Sequence, residues 1–486
     1  MNTVPQIVFP VVIPLIAAFL LPIARRCHGG FGDIFGRAAV FVTFLAAAFL
    51  AWHVAGSGPV SSAIGGFKAP LGIVFYADNL AMAFVLLLNI GVWLFWPESE
   101  HKGAGAQTLI LTLLGGGAGL VLSGDLFNIF VFYEIVAVTS YGLAASGGSA
   151  AGFGASLRYL LLSALGSSLA LMGIALVYAT AGTLNLADLA LLAPHVLRGP
   201  IGAAAFLLLL IGFGVKAELF PVNSWVPEVY ASAPVRVTSL LAGIVSKLAL
   251  IVILRFLVLV FPMPSAYGLL LVIGILGVLA GELAAYRARD LNSTFAWSSI
   301  AQLGVIAIAF SIPGPAGIAA GIALALHHAV VKPAFFLIAD KWRGDVLFLG
   351  GGAKAAPFVA ALFVLLSLSI IGIPPLPGFW AKYLLLDAAF SSSSPVYGLA
   401  AAVVLAGAVI EAAYLFRAAG IFYGRSPTGR GVPLFLLGEM APAFVLGAVL
   451  IVAMLALPVL GSYITSMAVE AADAPAIASQ ILIGGK

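Results

Sequence analysis

The feature that most constrains the fold is the recurrence of apolar runs as long as a lipid bilayer is thick. A helix needs about 20 largely apolar residues to cross the hydrocarbon core. We count about fourteen such runs, with centres near residues 14, 45, 84, 114, 134, 168, 214, 248, 275, 301, 327, 372, 408 and 446. Only 8% of the residues are charged, against about 25% in a soluble domain. The chain cannot cover a water-facing surface, and the pattern predicts a membrane protein.

Backbone polar groups inside a bilayer must be hydrogen-bonded within the protein, because the hydrocarbon core contains no water. The predicted fold class is therefore an all-α polytopic membrane protein with short linkers rich in Gly, Ser and Pro. The apolar N-terminus lacks a basic leading segment, which favours a retained first helix over a cleaved signal. A single cysteine, Cys27, excludes a disulfide framework or a Cys-based metal site within the chain. The scattered basic residues do not form a nucleic-acid-binding patch.

The distribution of Lys and Arg predicts how the helices are oriented. If the N-terminus is outside, the inside loops carry fourteen basic residues and the outside segments carry three. The inside set is Arg25, Arg26, Arg37, Lys102, Arg158, Arg236, Arg287, Arg289, Lys341, Arg343, Lys354, Arg417, Arg425 and Arg430; the outside set is Lys68, Arg198 and Lys486. This asymmetry supports an even number of helices, with both termini outside.

Two of the predicted spans, the seventh and the twelfth, are interrupted by prolines. The seventh contains IGFGVKAELFPVNSWVPEVY at 211–230, and the twelfth contains IGIPPLPGFWAKYLLL at 371–386. A simple kink is one interpretation, but proline also frees backbone carbonyls, which are tolerated where they line a polar cavity. Each broken span is the fourth in a block of five helices, and because five is odd the second block is inverted. Interrupted helices at matching places in inverted repeats are typical of a transport site.

The repeats divide the chain into four predicted regions. These are 1–106 (helices 1–3), 107–261 (first five-helix repeat, helices 4–8), 262–420 (second, inverted repeat, helices 9–13) and 421–486 (helix 14 and the tail). Nine ionisable residues inside the repeats cannot be assigned to loops. A charge at the centre of a span costs roughly 2.5–3.5 kcal/mol, so such groups usually face the bundle interior and mark an ion pathway.

Four of these residues lie in the first repeat. Glu134 is near the middle of the fifth span, where the alternative to a transport role is a structural hydrogen bond between helices. Lys216 precedes the proline break, where unwound backbone can accept its hydrogen bonds. Glu218 points to another face of the helix and either satisfies local backbone or meets a neighbouring subunit. Lys247 is central in the eighth span, and the sequence shows no partner for it within one helical turn.

The second repeat contains a corresponding set. His328 and Lys332 are four residues apart and share a helix face, whereas His327 points about 100° away. A histidine pair on an apolar helix is often structural, and the absence of further ligands at suitable spacing argues against a metal site. Lys382 follows the second proline break by a few residues.

Ordinary roles are expected for charged residues towards span ends. Arg255 follows the eighth-span lysine by two turns and is expected to snorkel outward. Glu411 is expected to form a plain ion pair with nearby Arg417, although a role in the pathway is kept open.

Lysine is informative inside a membrane, because burial favours its neutral form and a nearby carboxylate favours its charged form. A buried lysine whose charged partner can move away is therefore suited to carry protons near neutral pH. The sequence contains no arrangement typical of nucleophilic catalysis or phosphate binding. The glycine-rich GGGAG at 115–119 lies within an apolar span and indicates close helix packing.

Five segments of the chain resemble the antiporter-like family. They are SGDLFNIFVFYEIVAVTSYGL (123–143), GVKAELFPVNSWVPEVYASAP (214–234), LAGIVSKLALIVILR (241–255), LHHAVVKPAFFLIAD (326–340) and PPLPGFWAKYLLL (374–386). The family includes the proton-pumping subunits of respiratory complex I, membrane hydrogenases and the multisubunit Mrp cation/proton antiporters. The form GDLFNIFVFYE and the chain length look most like the D-type subunits of the Mrp antiporters.

The resemblance implies a proton pathway through Glu134, Lys216, Lys247, His328, Lys332 and Lys382. In the family pattern the first is a glutamate at the channel entrance, paired with the lysine of the broken seventh helix. The third is a relay lysine, and the last is the terminal group of the twelfth helix. His327, Glu218 and Glu411 are further candidates.

The resemblance therefore implies a proton-translocating subunit of a multisubunit Na⁺/H⁺ antiporter, with Li⁺ or K⁺ as other cations. Its partners would be the other antiporter subunits, in the cell membrane of a bacterium or archaeon. It would be a secondary transporter and not an enzyme, without a cofactor or metal. The alternatives are a subunit of complex I or of a membrane-bound hydrogenase, driven by distant electron transfer, and a non-transporting membrane scaffold. The interior charges argue against the scaffold.

Overall fold

The computed structural model describes residues 5–27, 30–97, 104–342, 344–425 and 437–484, and it is mostly helical. The first helices are α1 (Phe9–Cys27), α2 (Phe31–Ser57), α3 (Asn79–Leu94), α4 (Ala104–Leu122), α5 (Leu126–Ala145), α6 (Ala150–Ala181), α7 (Leu186–Val196), α8 (Gly199–Lys216), α9 (Val226–Ser232), α10 (Val235–Leu240) and α11 (Ser246–Arg255). The others are α12 (Pro264–Arg287), α13 (Leu291–Phe310), α14 (Pro315–Ala339), α15 (Gly352–Ala355), α16 (Pro357–Ile371), α17 (Pro377–Ser391), α18 (Pro395–Tyr423), α19 (Leu437–Leu455), α20 (Leu457–Ala472) and α21 (Ala474–Gly484).

The predicted multi-pass helical membrane architecture is confirmed at this level. Within the described ranges, eleven helices are long and apolar enough to cross a membrane. A twelfth span is reached if α19 and α20, which meet at an angle of 87°, are counted as one broken span. Three shorter apolar helices, α3, α7 and α16, fall below that length. The predicted total of about fourteen is therefore not confirmed.

The chain also contains a small sheet that was not expected in an all-α fold. Strands β1 (Val60–Ile64) and β2 (Ile73–Ala77) pair antiparallel, with Val60 opposite Ala77. The segment near 56–66 looks like a plain linker because it is rich in Gly and Ser. Its Ser61 and Ser62 are nevertheless buried. Cross-strand pairing supplies the backbone hydrogen bonds that a linker would otherwise take from water.

The helices form two compact units. Unit 1 contains residues 1–217, 244–267 and 469–486, and unit 2 contains residues 218–243 and 268–468. The chain passes from unit 1 to unit 2 directly after Lys216 and Ala217. Inverted repeats are defined by topology and not by compactness, so the predicted repeat boundaries stay a prediction.

Both proline-containing segments interrupt their helices where the sequence placed the breaks. Helix α8 ends at Lys216, and helical structure resumes with α9 at Val226. Helix α16 ends at Ile371, and α17 begins at Pro377. The eighth span is irregular in another way, because π-helical turns, Leu241–Val245 and Phe256–Val260, flank α11 on either side.

In unit 1, helices α6 and α8 approach closely because glycines meet at their crossing. A Cβ added at Gly212 would lie 2.6 Å from the carbonyl oxygen of Gly166, which is too close for any larger residue. The hydroxyl of Tyr133 on α5 donates a hydrogen bond to the carbonyl of Gly212, 2.7 Å away. Small residues at membrane helix crossings allow such contact between backbones. As a result, one face of α6 lies directly against the end of α8 that carries Lys216.

In unit 2, helices α12 and α13 are equally close. A Cβ added at Gly281 would lie 2.6 Å from the backbone nitrogen of Ala301, and one added at Gly304 would lie 2.7 Å from the carbonyl of Gly274. This packing holds the polar residues of α13 in the interior, where Ser298 and Ser299 are buried together with Gln302.

Candidate functional site

Lys216 lies at the last turn of α8 and is almost completely buried, with 2% of its surface exposed. Its ammonium group donates hydrogen bonds to the hydroxyls of Tyr159 and Ser163 on α6, each 3.0 Å away. The ammonium nitrogen also lies 4.2 Å from the centre of the Tyr159 ring, a cation–π contact. The expected acceptors were carbonyls of the unwound backbone. That expectation is wrong for Lys216, because α6 is close enough to supply hydroxyl groups instead.

Glu134 is connected to this lysine through α6. The hydroxyl of Ser167 donates a hydrogen bond to the Glu134 carboxylate. Ser163, which accepts from Lys216, is one helical turn before Ser167, and the Ser167 hydroxyl is also 2.9 Å from the Ser163 carbonyl. A serine hydroxyl has a single proton, so Ser167 can donate to only one of these acceptors at a time. Two serines therefore stand between the carboxylate and the ammonium group.

Lys247 begins the helix that follows the first π-helical turn. Its side chain is fully buried, and its ammonium group donates to the hydroxyl of Ser246, 3.1 Å away. The span from Val235 to Val260 is itself almost entirely enclosed by protein. Lys247 therefore has no route to lipid headgroups, as expected for a lysine that faces the bundle interior.

In unit 2 the polar centre is the carboxylate of Glu411 on α18, which is fully buried. Lys382 on α17 forms an ion pair with it at 3.1 Å. Gln302 on α13 donates to both carboxylate oxygens, at 2.9 and 3.0 Å. The Lys382 ammonium group also donates to the carbonyls of Ile370 and Ile371, at 2.7 and 3.1 Å. These are the carbonyls freed by the end of α16, so the proline break does supply acceptors here.

A second lysine reaches the same carboxylate through a hydroxyl. Lys332 on α14 is fully buried and donates to Ser298 on α13. The Ser298 hydroxyl in turn donates to Glu411 at 3.4 Å. The chain Lys332, Ser298, Glu411, Lys382 is thus a continuous series of hydrogen bonds between two lysines.

The two histidines contact serines on different helices. His328 is buried, and its Nε2 lies 3.4 Å from the hydroxyl of Ser299 on α13. His327 is partly exposed, and its Nε2 lies 2.8 Å from the hydroxyl of Ser369 on α16. Only His328 shares the inward face with Lys332, as their spacing predicts.

Glu218 follows the end of α8 and belongs to unit 2. It is buried, and it has a positive φ of 57° that few residues other than glycine adopt. Its carboxylate accepts a hydrogen bond from the hydroxyl of Tyr230 on α9. This partner is a side chain of the same chain, and not the local backbone that was considered for Glu218.

Two expectations for arginines are wrong. Arg255 does not snorkel outward; it is buried and forms an ion pair with Asp78, the residue that caps α3. Glu411 does not pair with Arg417, whose guanidinium donates to the carbonyl of Tyr286. In both cases a residue distant in sequence supplies the partner, which spacing along one helix cannot indicate.

Two buried carboxylates, Glu282 and Asp78, lie outside the set expected from the sequence. Glu282 on α12 is 2% exposed. It stands five residues before Arg287, near the end of a predicted span, and so resembles a loop charge. The available signal was GELAAYR, in which the glutamate follows an unbroken apolar run. Asp78, also buried, resembles a loop charge for the same reason.

In unit 2, buried lysines are joined to a carboxylate directly or through a serine hydroxyl, whereas in unit 1 Ser163 and Ser167 contact each other through the Ser163 carbonyl. A hydroxyl can accept a proton from one neighbour while it donates its own to the next. Most of these groups are buried, and Glu134 is partly exposed. This arrangement is suited to proton transfer, and among the described residues it holds no nucleophile activated by a base.

Comparison with known proteins decides the family. The family model described as NADH:quinone oxidoreductase/Mrp antiporter, transmembrane, matches residues 123–410, more than half of the chain. The chain belongs to this family. The resemblance is confirmed at the level of the family. The matched region includes the six residues of the expected pathway, whose roles stay a prediction.

Individual members of this antiporter family are similar over most of their length. The D-type subunit of the Na⁺/H⁺ antiporter of Alkalihalophilus pseudofirmus is 31% identical over 414 residues, covering 82% of this chain and 83% of that protein. The NADH-quinone oxidoreductase subunit N of Desulforudis audaxviator is 30% identical over 426 residues, covering 84% of each. A chain in the structure of the Mrp complex from Dietzia superposes with a TM-score of 0.88 at 26% identity, covering 98% of this chain and 99% of that one.

Proposed function

We propose that the chain is the proton-translocating subunit of a multisubunit Na⁺/H⁺ antiporter. The observation that carries the proposal is the buried series Lys332, Ser298, Glu411 and Lys382, four polar groups in hydrogen-bond contact within a membrane protein. A non-transporting scaffold would gain nothing from such groups, because burying each unpaired charge costs several kcal/mol. Family membership and similarity to the D-type antiporter relatives support the antiporter.

In unit 1, proton uptake begins at Glu134, the partly exposed member of the set. The protonated carboxyl group donates to Ser167, whose hydroxyl turns to the carbonyl of Ser163. Loss of the negative charge removes the attraction that favours the charged form of Lys216. The neutral form of Lys216 is then favoured over the ammonium form that donates to the hydroxyls of Ser163 and Tyr159. Glu134 thereby controls the charge state of the lysine without touching it.

In unit 2, the proton moves along the series of hydrogen bonds. Lys332 donates to Ser298 while the Ser298 hydroxyl donates to Glu411, so one proton leaves the lysine and another reaches the carboxylate. Neutralised Glu411 no longer holds the ammonium group of Lys382, which can release its own proton. His328 lies one turn from Lys332 and is the proton donor that recharges it.

The finer predictions of topology belong to the same proposal. The chain would cross the membrane about fourteen times, as two inverted five-helix repeats with broken seventh and twelfth helices, and both termini would face outward. The short helices α3 and α16 would be spans completed by irregular segments. The protein would act in the plasma membrane of a bacterium or archaeon, as a secondary transporter within a hetero-oligomer of antiporter subunits that exchanges H⁺ for Na⁺, Li⁺ or K⁺.

The test is antiport in everted membrane vesicles that contain the complete complex. Acidification of the vesicle interior is relieved when a cation is added, and Na⁺, Li⁺ and K⁺ are compared. Glu134→Ala and Lys247→Ala should abolish this exchange while the subunits still co-purify. Normal cation-dependent proton exchange in both variants would show that the proposed pathway is wrong.

A second candidate is a redox-driven pump subunit of complex I or a membrane-bound hydrogenase. The similarity to NADH-quinone oxidoreductase subunit N over 84% of the chain favours it. The same proton carriers would then be driven by electron transfer in another subunit. Cation-dependent proton exchange without any electron donor distinguishes the antiporter from this alternative.

A further inference from the structure

Glu282 is a buried carboxylate of unit 2 that the proposed pathway leaves without a role. Its side chain crosses α18 at Gly407, where a Cβ would lie 3.5 Å from the Glu282 Cγ. Glu411 and Tyr414 follow Gly407 at the helical spacings of four and seven residues, and all three are buried on the same face. Glu282 thus lies against this face of α18.

The charged groups around Glu282 come from three helices. Lys332 on α14, Lys382 on α17 and Glu411 on α18 are close enough for their charges to interact with it. The hydroxyl of Tyr414 is buried and forms no hydrogen bond with the described residues, and its surroundings include Glu282 and Ser298. The cluster therefore contains two carboxylates and two lysines and is electrically neutral when all four are charged.

The two carboxylates differ in the donors they receive. Glu411 accepts from Lys382 and Gln302, and Ser298 also donates to it. The buried Oε2 atom of Glu282 accepts no hydrogen bond from the part of the chain that the structure describes. A buried carboxylate anion without donors is costly, whereas the protonated acid is not. The neutral acid form is therefore far less costly at Glu282 than at Glu411.

We propose that Glu282 is a second proton-accepting residue of the pathway, which holds a transported proton before Glu411 is protonated, while Glu411 is still an anion paired with Lys382. The proton breaks its bond to the Lys332 nitrogen and binds the Ser298 oxygen. The original Ser298 proton passes to Tyr414, and the Tyr414 proton passes to Oε2 of Glu282. Lys332 becomes a neutral amine, Glu282 a neutral acid, and both hydroxyls are unchanged. This role deepens the proposed function and rests on it.

The proposal is tested by infrared difference spectroscopy and antiport on the same purified complete complex in lipid. The carbonyl-stretching band of a protonated carboxylic acid should be present in the unaltered complex. It should be lost in Glu282→Gln and retained in Glu411→Gln. Antiport in Glu282→Gln should fall at least about tenfold, as expected when a positioned proton carrier is removed.

Two further variants separate this role from a structural one. Glu282→Asp keeps the acid but shortens it, so the band should remain and antiport should be partly restored. Gly407→Ala keeps the charge but puts a methyl group 3.0 Å from Val278, which must shift slightly, and 3.5 Å from the Cγ of Glu282. The changed packing beside Glu282 should shift the frequency of the carbonyl-stretching band. Co-purification of the other subunits reports whether each variant assembles.

The outcomes are distinguishable from a failure of the proposed function. If Glu282→Gln keeps both the band and normal antiport while Glu134→Ala abolishes antiport, the role of Glu282 is wrong and the pathway stands. If Glu134→Ala and Lys247→Ala transport normally, the pathway itself is wrong, whatever the band shows. If addition of Na⁺ at constant pH removes the band, Glu282 belongs to a cation site and the proton-only role is overturned.

Discussion

The two lysines that adjoin the helix breaks, Lys216 and Lys382, solve the same burial problem in different ways. Lys216 in unit 1 is held by two neutral hydroxyls and is separated from Glu134 by serines. Lys382 in unit 2 is held by freed carbonyls and pairs directly with Glu411. The charges of a direct ion pair are hard to neutralise one at a time, whereas a lysine and a carboxylate separated by hydroxyl groups change protonation state more easily. We therefore expect protonation of Glu134 to change the charge of Lys216 in unit 1. In unit 2 we expect Lys382 to stay charged until its ion pair with Glu411 is broken.

The largest expected effect is the removal of one partner from the direct pair. Glu411→Ala leaves Lys382 buried without its counter-charge, and we expect a loss of about 3–5 kcal/mol in the free energy of unfolding. Glu134→Ala removes one acceptor of Ser167, which still has the carbonyl of Ser163. The expected loss in the free energy of unfolding is therefore about 1 kcal/mol. Thermal unfolding of the purified complex measures both.

The double variant Lys382→Met/Glu411→Met is the control for that comparison. Apolar side chains that replace a buried ion pair often retain stability. The double variant should therefore unfold close to the unaltered protein yet transport no protons. Equal stability losses for Glu411→Ala and Glu134→Ala would contradict the contrast between the units.

Unit 1 has a direct ion pair of its own, away from Lys216, and it offers the next test. Arg255→Met leaves the fully buried Asp78 without its counter-charge and should destabilise the complex by about 3 kcal/mol. The variant should affect assembly and stability but not antiport, because neither residue adjoins the serines between Glu134 and Lys216. An unchanged unfolding temperature would show that Arg255 faces outward after all.

The hydroxyl bridge should matter for transport more than for stability. Ser163→Ala combined with Ser167→Ala removes the connection between Glu134 and Lys216, and antiport should fall by about tenfold or more. The loss of stability should stay near 1 kcal/mol per hydrogen bond. Ser168→Ala is the matched control, because Ser168 is the next residue on α6 but is exposed and bonds only to a carbonyl of its own helix. Equal antiport in both variants would mean that the bridge carries no protons.

The smallest effect is expected for Arg417→Ala. Its guanidinium is exposed and bonds to a backbone carbonyl, so less than about 1 kcal/mol and no change in antiport are expected. If Arg417→Ala reproduced the effects of Glu411→Ala, the assignment of Lys382 as the partner of Glu411 would be wrong.

Much of the site follows from local sequence. The proline breaks, the lysines beside them and the shared face of His328 and Lys332 are all recognisable, because hydropathy and helical spacing act over a few turns. The hydrogen-bond partners of these lysines could not be predicted in this way. The hydroxyl acceptors of Lys216 and the Glu411 partner of Lys382 come from other helices, and spacing within one helix carries no information about them.

Glu282 shows where local reasoning fails. At five residues from Arg287 it looks like a charge at a membrane surface. It is buried because close packing at Gly281 draws α12 onto α13 and because it lies against α18 beside Gly407. Packing between helices thus decides whether this carboxylate meets water or two lysines.

By itself the sequence determined the membrane as the solvent, helices as the main structure and which charges are too central to reach water, because these depend on length and hydropathy. The tertiary structure alone decided which groups neutralise those charges. It brought a tyrosine and a serine hydroxyl to Lys216, a carboxylate to Lys382 and Asp78 to Arg255. The physical reason is that a buried charge is stabilised by whatever polar group lies within about 3 Å of it, and only helix packing sets that distance.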